Sequence, residues 1–137
     1  MGKLSGPLLD RIDIHIEVAS VKYKDLESSR EEENSSTIRE RVNRARKVQL
    51  ERYKGLNIYS NSQLQASQIS QYCKLDDKGR ALLKNAFERL GLSARAHSRI
   101  LKVARTIADM EESEDIKQQH LAEAIQYRSL DRRFWNV

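Results

Sequence analysis

The stretch Ser93-Ala94-Arg95-Ala96-His97-Ser98-Arg99-Ile100-Leu101-Lys102-Val103-Ala104-Arg105-Thr106-Ile107-Ala108-Asp109-Met110 decides the fold. Ala96, Ile100, Val103, Ala104 and Ile107 fall within a stripe about 100° wide when the chain is wound at 3.6 residues per turn. Ser93 stands where an N-cap hydroxyl is wanted, and neither Gly nor Pro interrupts the run. The spacing therefore predicts a long amphipathic helix from Ser93 to about Met110. Arg95, Arg99 and Lys102 share the flank beside its apolar stripe.

Elements of the same kind lie on either side. Upstream, Leu82, Leu83, Ala86, Phe87 and Leu90 recur at helical spacing, with Asp76 or Asp77 as cap and Gly91 as stop. A short helix is expected over 62–73 and a loop over 56–61. Thr37 and Glu40 have the spacing of a capping box, predicting a helix from Thr37 that stops near Gly55. Downstream, a helix follows Ile116 and runs through His120, Leu121, Ala124, Ile125 and Tyr127. The fold class expected is all-α, a small bundle of about five helices.

Near the N-terminus the pattern changes. Ile12, Ile14, Ile16 and Val18 alternate with polar residues, the period of a strand with one buried face. No second strand follows, and a lone strand cannot satisfy its backbone groups, so 11–19 reads as an orphan β-strand separated from its sheet. Residues 19–36 are polar, acidic and Ser-rich, a linker composition. The expected organisation is 1–34 as the mobile end of a missing core plus linker, 35–130 as the helical domain, and 131–137 as a tail. No role follows for Trp135.

The 137 residues suit one domain with a single modest core. No apolar run approaches the length of a membrane span. One cysteine, Cys73, excludes an internal disulfide and makes a reducing cytoplasm the default compartment. The net charge of +5 is unevenly placed. Residues 39–54 carry Arg39, Arg41, Arg44, Arg46, Lys47, Arg52 and Lys54 against two acids. Residues 80–105 are comparably basic, with Glu88 as their only acid. Such segments solvate helices in the ordinary case, or form a face that meets phosphate or an acidic surface.

The three histidines, His15, His97 and His120, have no metal-ligand spacing and read as surface or packing residues. Cys73 has no activating base nearby and reads as a buried structural thiol. Two arginines stand out. Arg11 is flanked by Asp10 and Asp13 at the mouth of the expected strand, where it can form an ordinary ion pair or project from a domain edge. Arg95 lies in the first turn of its helix, where free amides and a planar guanidinium can both address a phosphate; a solvated flank arginine is the plain alternative.

Several motifs together resemble one family. They are Gly6-Pro7-Leu8-Leu9-Asp10-Arg11-Ile12-Asp13, Ile38-Arg39-Glu40-Arg41-Val42 with Ala45-Arg46, Leu92-Ser93-Ala94-Arg95-Ala96, Arg99 through Asp109, and His120 through Arg128. From residue 5 to about 133 the chain resembles the C-terminal lid of the bacterial Mg-chelatase-like AAA+ ATPases (the YifB/ComM group). The resemblance implies a preceding nucleotide-binding core that holds the phosphate loop and magnesium-binding acids, so ATP and Mg2+ are cofactors of the parent and this segment alone is no enzyme. It also implies a homo-oligomeric ring of neighbouring subunits and DNA processing during natural transformation. By the same resemblance Arg11 matches an arginine finger reaching a neighbour's γ-phosphate. Arg95 matches the second sensor, and Arg99 is a further nucleotide-binding candidate. Porphyrin metalation belongs to more distant relatives and is not carried over.

Two other readings stay open on the residues alone. One is a stand-alone basic helical module that binds nucleic acid through 39–54 and 80–105, whose mark is salt-sensitive binding. The other is a protein-interaction bundle that pairs its arginines with acidic neighbours.

Overall fold

The computed structural model describes residues 6–16, 23 and 33–128. Among them every regular element is helical. A short helix α1 (Gly6–Arg11) is followed by α2 (Ser35–Arg52), a 3-10 turn (Asn61–Gln63), α3 (Ala66–Tyr72), α4 (Asp77–Leu90), α5 (Ala94–Met110) and α6 (Gln118–Gln126). The bundle is α2–α6, five helices.

The helix α5 is its axis, packed against α2, the 3-10 turn, α3 and α6, while α4 closes onto α6. Ile100, Ala104 and Ala108 are wholly buried, and Ala96, Leu101, Arg105 and Asp109 nearly so. These residues span an arc of about 220°, more than twice the expected stripe, because neighbours crowd α5 on three sides. Leu121 and Ala124 of α6 complete the core with Leu83, Leu92, Ile69 and Tyr53. Each fully buried Ile or Leu contributes about 1.5–3 kcal/mol, so this seam carries most of the stability.

The helix ends follow local chemistry. Ser93 Oγ accepts the Ala96 amide at 3.1 Å and Asp76 Oδ1 accepts that of Gly79 at 2.6 Å, so both expected caps form. Gly91 ends α4 with φ +59°, a left-handed turn open to glycine at little steric cost, and Leu92 N–H returns to the Phe87 carbonyl at 3.3 Å. The α2 start is corrected. Asn34, not Thr37, is the cap, with Oδ1 accepting both the Thr37 amide (2.8 Å) and hydroxyl (2.9 Å). Asparagine outranks threonine as a cap, and the helix gains two residues. At the other end α2 stops at Arg52, before Gly55. The single helix expected over 62–73 is instead a 3-10 turn and α3, the latter opened by a reciprocal Gln65–Gln68 capping box.

The strand expectation is also corrected. Arg11 ends a helix, and residues 12–16 join no sheet. Ile12, Ile14 and Ile16 are 40%, 47% and 65% exposed, while His15 between them is only 8% exposed. The face that alternation marks as buried therefore points outward. With no strand beside it, the segment fastens to the end of α6: His15 N–H donates to the Tyr127 carbonyl at 2.7 Å. The rest of the expected strand, the linker over 19–32 apart from Tyr23, and the tail lie outside the described residues.

Candidate functional site

The candidate site is the N-terminal end of α5. Its first free amides are partly met by Ser93, and Arg95 stands in the first turn, exposed and without an ion pair among the described residues. One turn further, Arg99 is half-buried and Nη1 pairs with the Asp13 carboxylate. Lys102, next along the flank, donates from Nζ to the Ser62 carbonyl at 3.1 Å. The three flank cations thus differ: Arg99 and Lys102 are spent on holding segments in place, and Arg95 is not.

The Arg99–Asp13 pair brings the chain after α1 against α5. Arg128 adds to it from the end of α6: fully buried, it donates from Nη1 to the Ile12 carbonyl. With the His15–Tyr127 bond, three contacts over residues 12–15 pin this segment to the bundle. Arg11, exposed at the end of α1, is carried two residues ahead of Asp13, with no ion pair among the described residues. Arg11 and Arg95 do not touch, yet the segments bearing them are joined through Arg99. A guanidinium with no ion pair among the described residues can bind an anion without first breaking a salt bridge.

A second polar centre, unmarked by any sequence motif, lies at the other end of α5. Asp109, 1% exposed, accepts from Arg52 at 2.9 and 2.5 Å, from Asn61 Nδ2 at 3.0 Å and from Arg105 Nε at 3.2 Å. Asn61 Nδ2 also reaches Thr106 Oγ1 at 3.0 Å, its amide N–H donates to Gln49 Oε1 at 2.9 Å, and Tyr53 Oη donates to Asn61 Oδ1 at 2.5 Å. Arg105 completes its donors on the Ser113 and Glu114 carbonyls at 2.7 and 2.9 Å. The carboxylate holds Arg52 still further from deprotonation than usual, and burial raises the Tyr53 phenol. Every group faces another member of the same cluster, so this is a clamp joining α2, the 3-10 turn and α5, in which Arg52 alone of the charged groups keeps some exposure. It removes Arg105 and Arg52 from the basic faces that composition alone attributes to them.

The histidines divide. His97 is exposed, edge-on to Phe87 at 6.1 Å between ring centroids. Buried His120 accepts the Lys117 amide on Nδ1 at 3.0 Å and faces Glu111 with Nε2 at 2.6 Å. Because Nδ1 accepts, the ring proton sits on Nε2 and is donated to the carboxylate. That bond, first among the causes, lowers the Glu111 pKa from its ordinary 4.5. A carboxyl depressed in the folded state adds stability above its unfolded pKa and loses it as pH falls through the folded value. Glu111→Gln is therefore expected to lower the melting temperature at pH 7, with the gap to wild type closing below about pH 4. Melts across pH 3–7 check this; a gap that is constant with pH refutes it.

Cys73 is 3% exposed, and burial pushes its thiol up to about 11, with Arg105 and Arg52 opposing. At pH 8 the thiolate fraction is then on the order of 10⁻³. We expect alkylation at least 100-fold slower than for a free thiol at that pH, and full reactivity in denaturant. Fast labelling of the folded chain would show an accessible thiolate. Among the described residues no group of His, Cys, Asp and Glu is arranged to hold a metal, and no helix is long and apolar enough to cross a membrane.

Fold and site define an all-α module that presents an arginine at the open end of its central helix. Residues 32–128 match the family described as magnesium chelatase, subunit ChlI C-terminal, and the chain belongs to that family. It is 44% identical over 133 residues to competence protein ComM of Haemophilus influenzae, covering 96% of this chain and 25% of that protein. It is 41% identical over 136 residues to YifB of Escherichia coli, covering 96% and 26%. A protein of Mycobacterium tuberculosis is 30% identical over 110 residues, 80% of this chain and 22% of its own length. The chain thus spans about a quarter of the length of the curated relatives it matches.

Proposed function

We propose that this chain acts as the C-terminal lid of a Mg-chelatase-like AAA+ ATPase, lending arginines to ATP hydrolysis in a cytoplasmic homo-oligomeric ring that processes DNA. The observation that carries the reading is Arg95: an exposed guanidinium with no ion pair among the described residues, in the first turn of α5, where the helix dipole and free amides favour an anion. ATP with Mg2+, held by the core of the parent, supplies the phosphoryl group to be transferred. The donors present here fit a phosphate, since Arg95 offers a fixed fork of N–H groups and needs no partner displaced. Arg11 is the candidate finger toward a neighbouring subunit's nucleotide. Arg99 acts by holding Asp13, and so sets where the Arg11 segment sits.

The outward isoleucines of 12–16 agree with this reading, being an apolar strip the bundle itself leaves uncovered and the rest of the parent can cover. DNA as the substrate rests on the relationship to a competence protein. The test is ATP turnover by the full-length parent. Arg95→Ala is expected to abolish most turnover with ring assembly intact, and unchanged turnover removes the reading.

A further inference from the structure

We propose that the outer face of α2 is a contact for the phosphate backbone of nucleic acid, made by Arg39, Arg46 and Lys47 with Asn43 between them. The basic segments divide sharply once their partners are known. In 80–105, Arg105 is buried in the clamp, Arg99 is paired with Asp13, Arg80 with Asp77, and Lys102 is bonded to Ser62. In 39–54, Arg41 pairs with Glu33, Arg44 with Glu112 and Arg52 with Asp109. Arg39, Arg46, Lys47 and Lys54 of the first segment remain, exposed and with no ion pair among the described residues, as do Lys84, Arg89 and Arg95 of the second; of these, Arg39, Arg46 and Lys47 are the ones α2 carries.

Their placement on the helix is not scattered. The core-facing line of α2 runs through Ala45 and Gln49, its two buried residues. At 100° per residue, Arg39, Asn43, Arg46, Lys47 and Leu50 occupy an arc about 100° wide, centred roughly 130° round from that line. No acid falls within it: Glu40 lies past its edge, one turn from Arg44, and Glu51 past the same edge, one turn from Lys47. Neither Arg39 nor Arg46 has an acid three or four residues away, so neither has an intrahelical partner to displace. From residue 35 to residue 40 every side chain of α2 is exposed, and the helix stands clear of the bundle there.

Arg39 to Lys47 covers about 12 Å of helix axis, matching three to four phosphate steps of one strand. Two guanidiniums and an ammonium are donors only, and the Asn43 amide adds two N–H donors beside its carbonyl, which suits acceptor-only phosphate oxygens. The stripe lacks aromatic residues for stacking, so the contact is one to the backbone and independent of sequence. The choice of polyanion rests on the DNA-processing part of the proposed function. No ATP enters the test, so its failure leaves Arg95 untouched.

The experiment is fluorescence anisotropy of the 137-residue chain with a labelled mixed-sequence 20-bp duplex between 50 and 200 mM salt. Three phosphate contacts contribute a log–log slope of about −2.7, equivalent to about a 40-fold loss across that range. The variant Arg39→Gln/Arg46→Gln/Lys47→Gln is expected to bind at least tenfold more weakly at 50 mM and to lose about 2.7 of the slope. Lys78→Gln/Lys84→Gln/Arg89→Gln on α4 removes the same charge elsewhere and is expected to lose much less. No binding at 50 mM, equal losses in the two variants, or displacement of the duplex by polyglutamate at equal charge would each overturn the proposal, the last in favour of an acidic protein partner. Should the α2 variant fail to fold, duplex protection of wild-type Arg39 and Arg46 from arginine-specific modification reads the same contact, and absence of protection counts against it.

Discussion

Asp109→Ala is expected to destabilise the bundle by about 3–5 kcal/mol, because it leaves the buried Arg105 and the largely buried Arg52 guanidiniums without their shared anion. Arg105 keeps the Ser113 and Glu114 carbonyls, which favours the lower end of that range. Asn61 also loses one acceptor, and Thr106 alone then remains for its amide nitrogen. Domains of this size are stable by about 5–15 kcal/mol, so the loss is a large share of the total. The expected fall in melting temperature is about 10 °C or more by circular dichroism. Asp115→Ala, at an exposed position, is expected to shift stability by less than about 0.5 kcal/mol.

A companion variant separates the clamp's charge from its shape. Arg52→Met/Arg105→Met/Asp109→Leu replaces the ions with apolar groups and leaves no buried charge unpaired. It is expected to recover much of the loss, since the desolvation of a buried ion pair offsets most of its Coulombic gain. Asp109→Ala within 1 kcal/mol of wild type would mean that water reaches the cluster.

The contrast between the two ends of α5 shows what a sequence can display. Ser93, Asp76 and Gly91 were legible because a cap is a local event: one side chain or one backbone angle, set by its immediate neighbours. The helical period of Ile100, Ala104 and Ile107 was legible for the same reason. The clamp was not. Its members are separated by up to 57 residues, from Arg52 to Asp109, and charged residues in a helix read as solvated unless the fold crowds every side of it. A hint existed: Leu101 and Ala108 extend the apolar set of α5 well past one stripe, which marks a central helix rather than a surface one.

The 12–16 segment fails for a different reason. Alternation records which face a strand buries in its own sheet, and here His15 turns inward while the isoleucines face out. The basic faces erred by counting. Charge summed along a segment cannot distinguish Arg105, buried on a carboxylate, from Arg39, which has no ion pair among the described residues. Partners had to be known before the counts meant anything.

Arg95→Ala in the full-length parent is expected to lower kcat for ATP hydrolysis by about 10²–10³, with KM changing less. Removing one preorganised donor to developing charge commonly costs that much, and an arginine acting as a full finger costs about 10³–10⁵. Arg95→Lys keeps the charge but not the planar fork, so partial recovery is expected. Arg99→Gln acts differently. Its guanidinium is already committed to Asp13, so its loss should loosen the 12–15 segment and lower stability before it touches turnover. Because Arg95 is exposed and unpaired among the described residues, its removal should leave the melting temperature within about 1 °C of wild type. The combination of lost turnover, unchanged stability and intact assembly is therefore specific to a residue that meets the nucleotide. Turnover within twofold of wild type would make Arg95 a solvated helix residue, and would leave the α2 stripe as the cationic feature of this domain that still calls for a ligand.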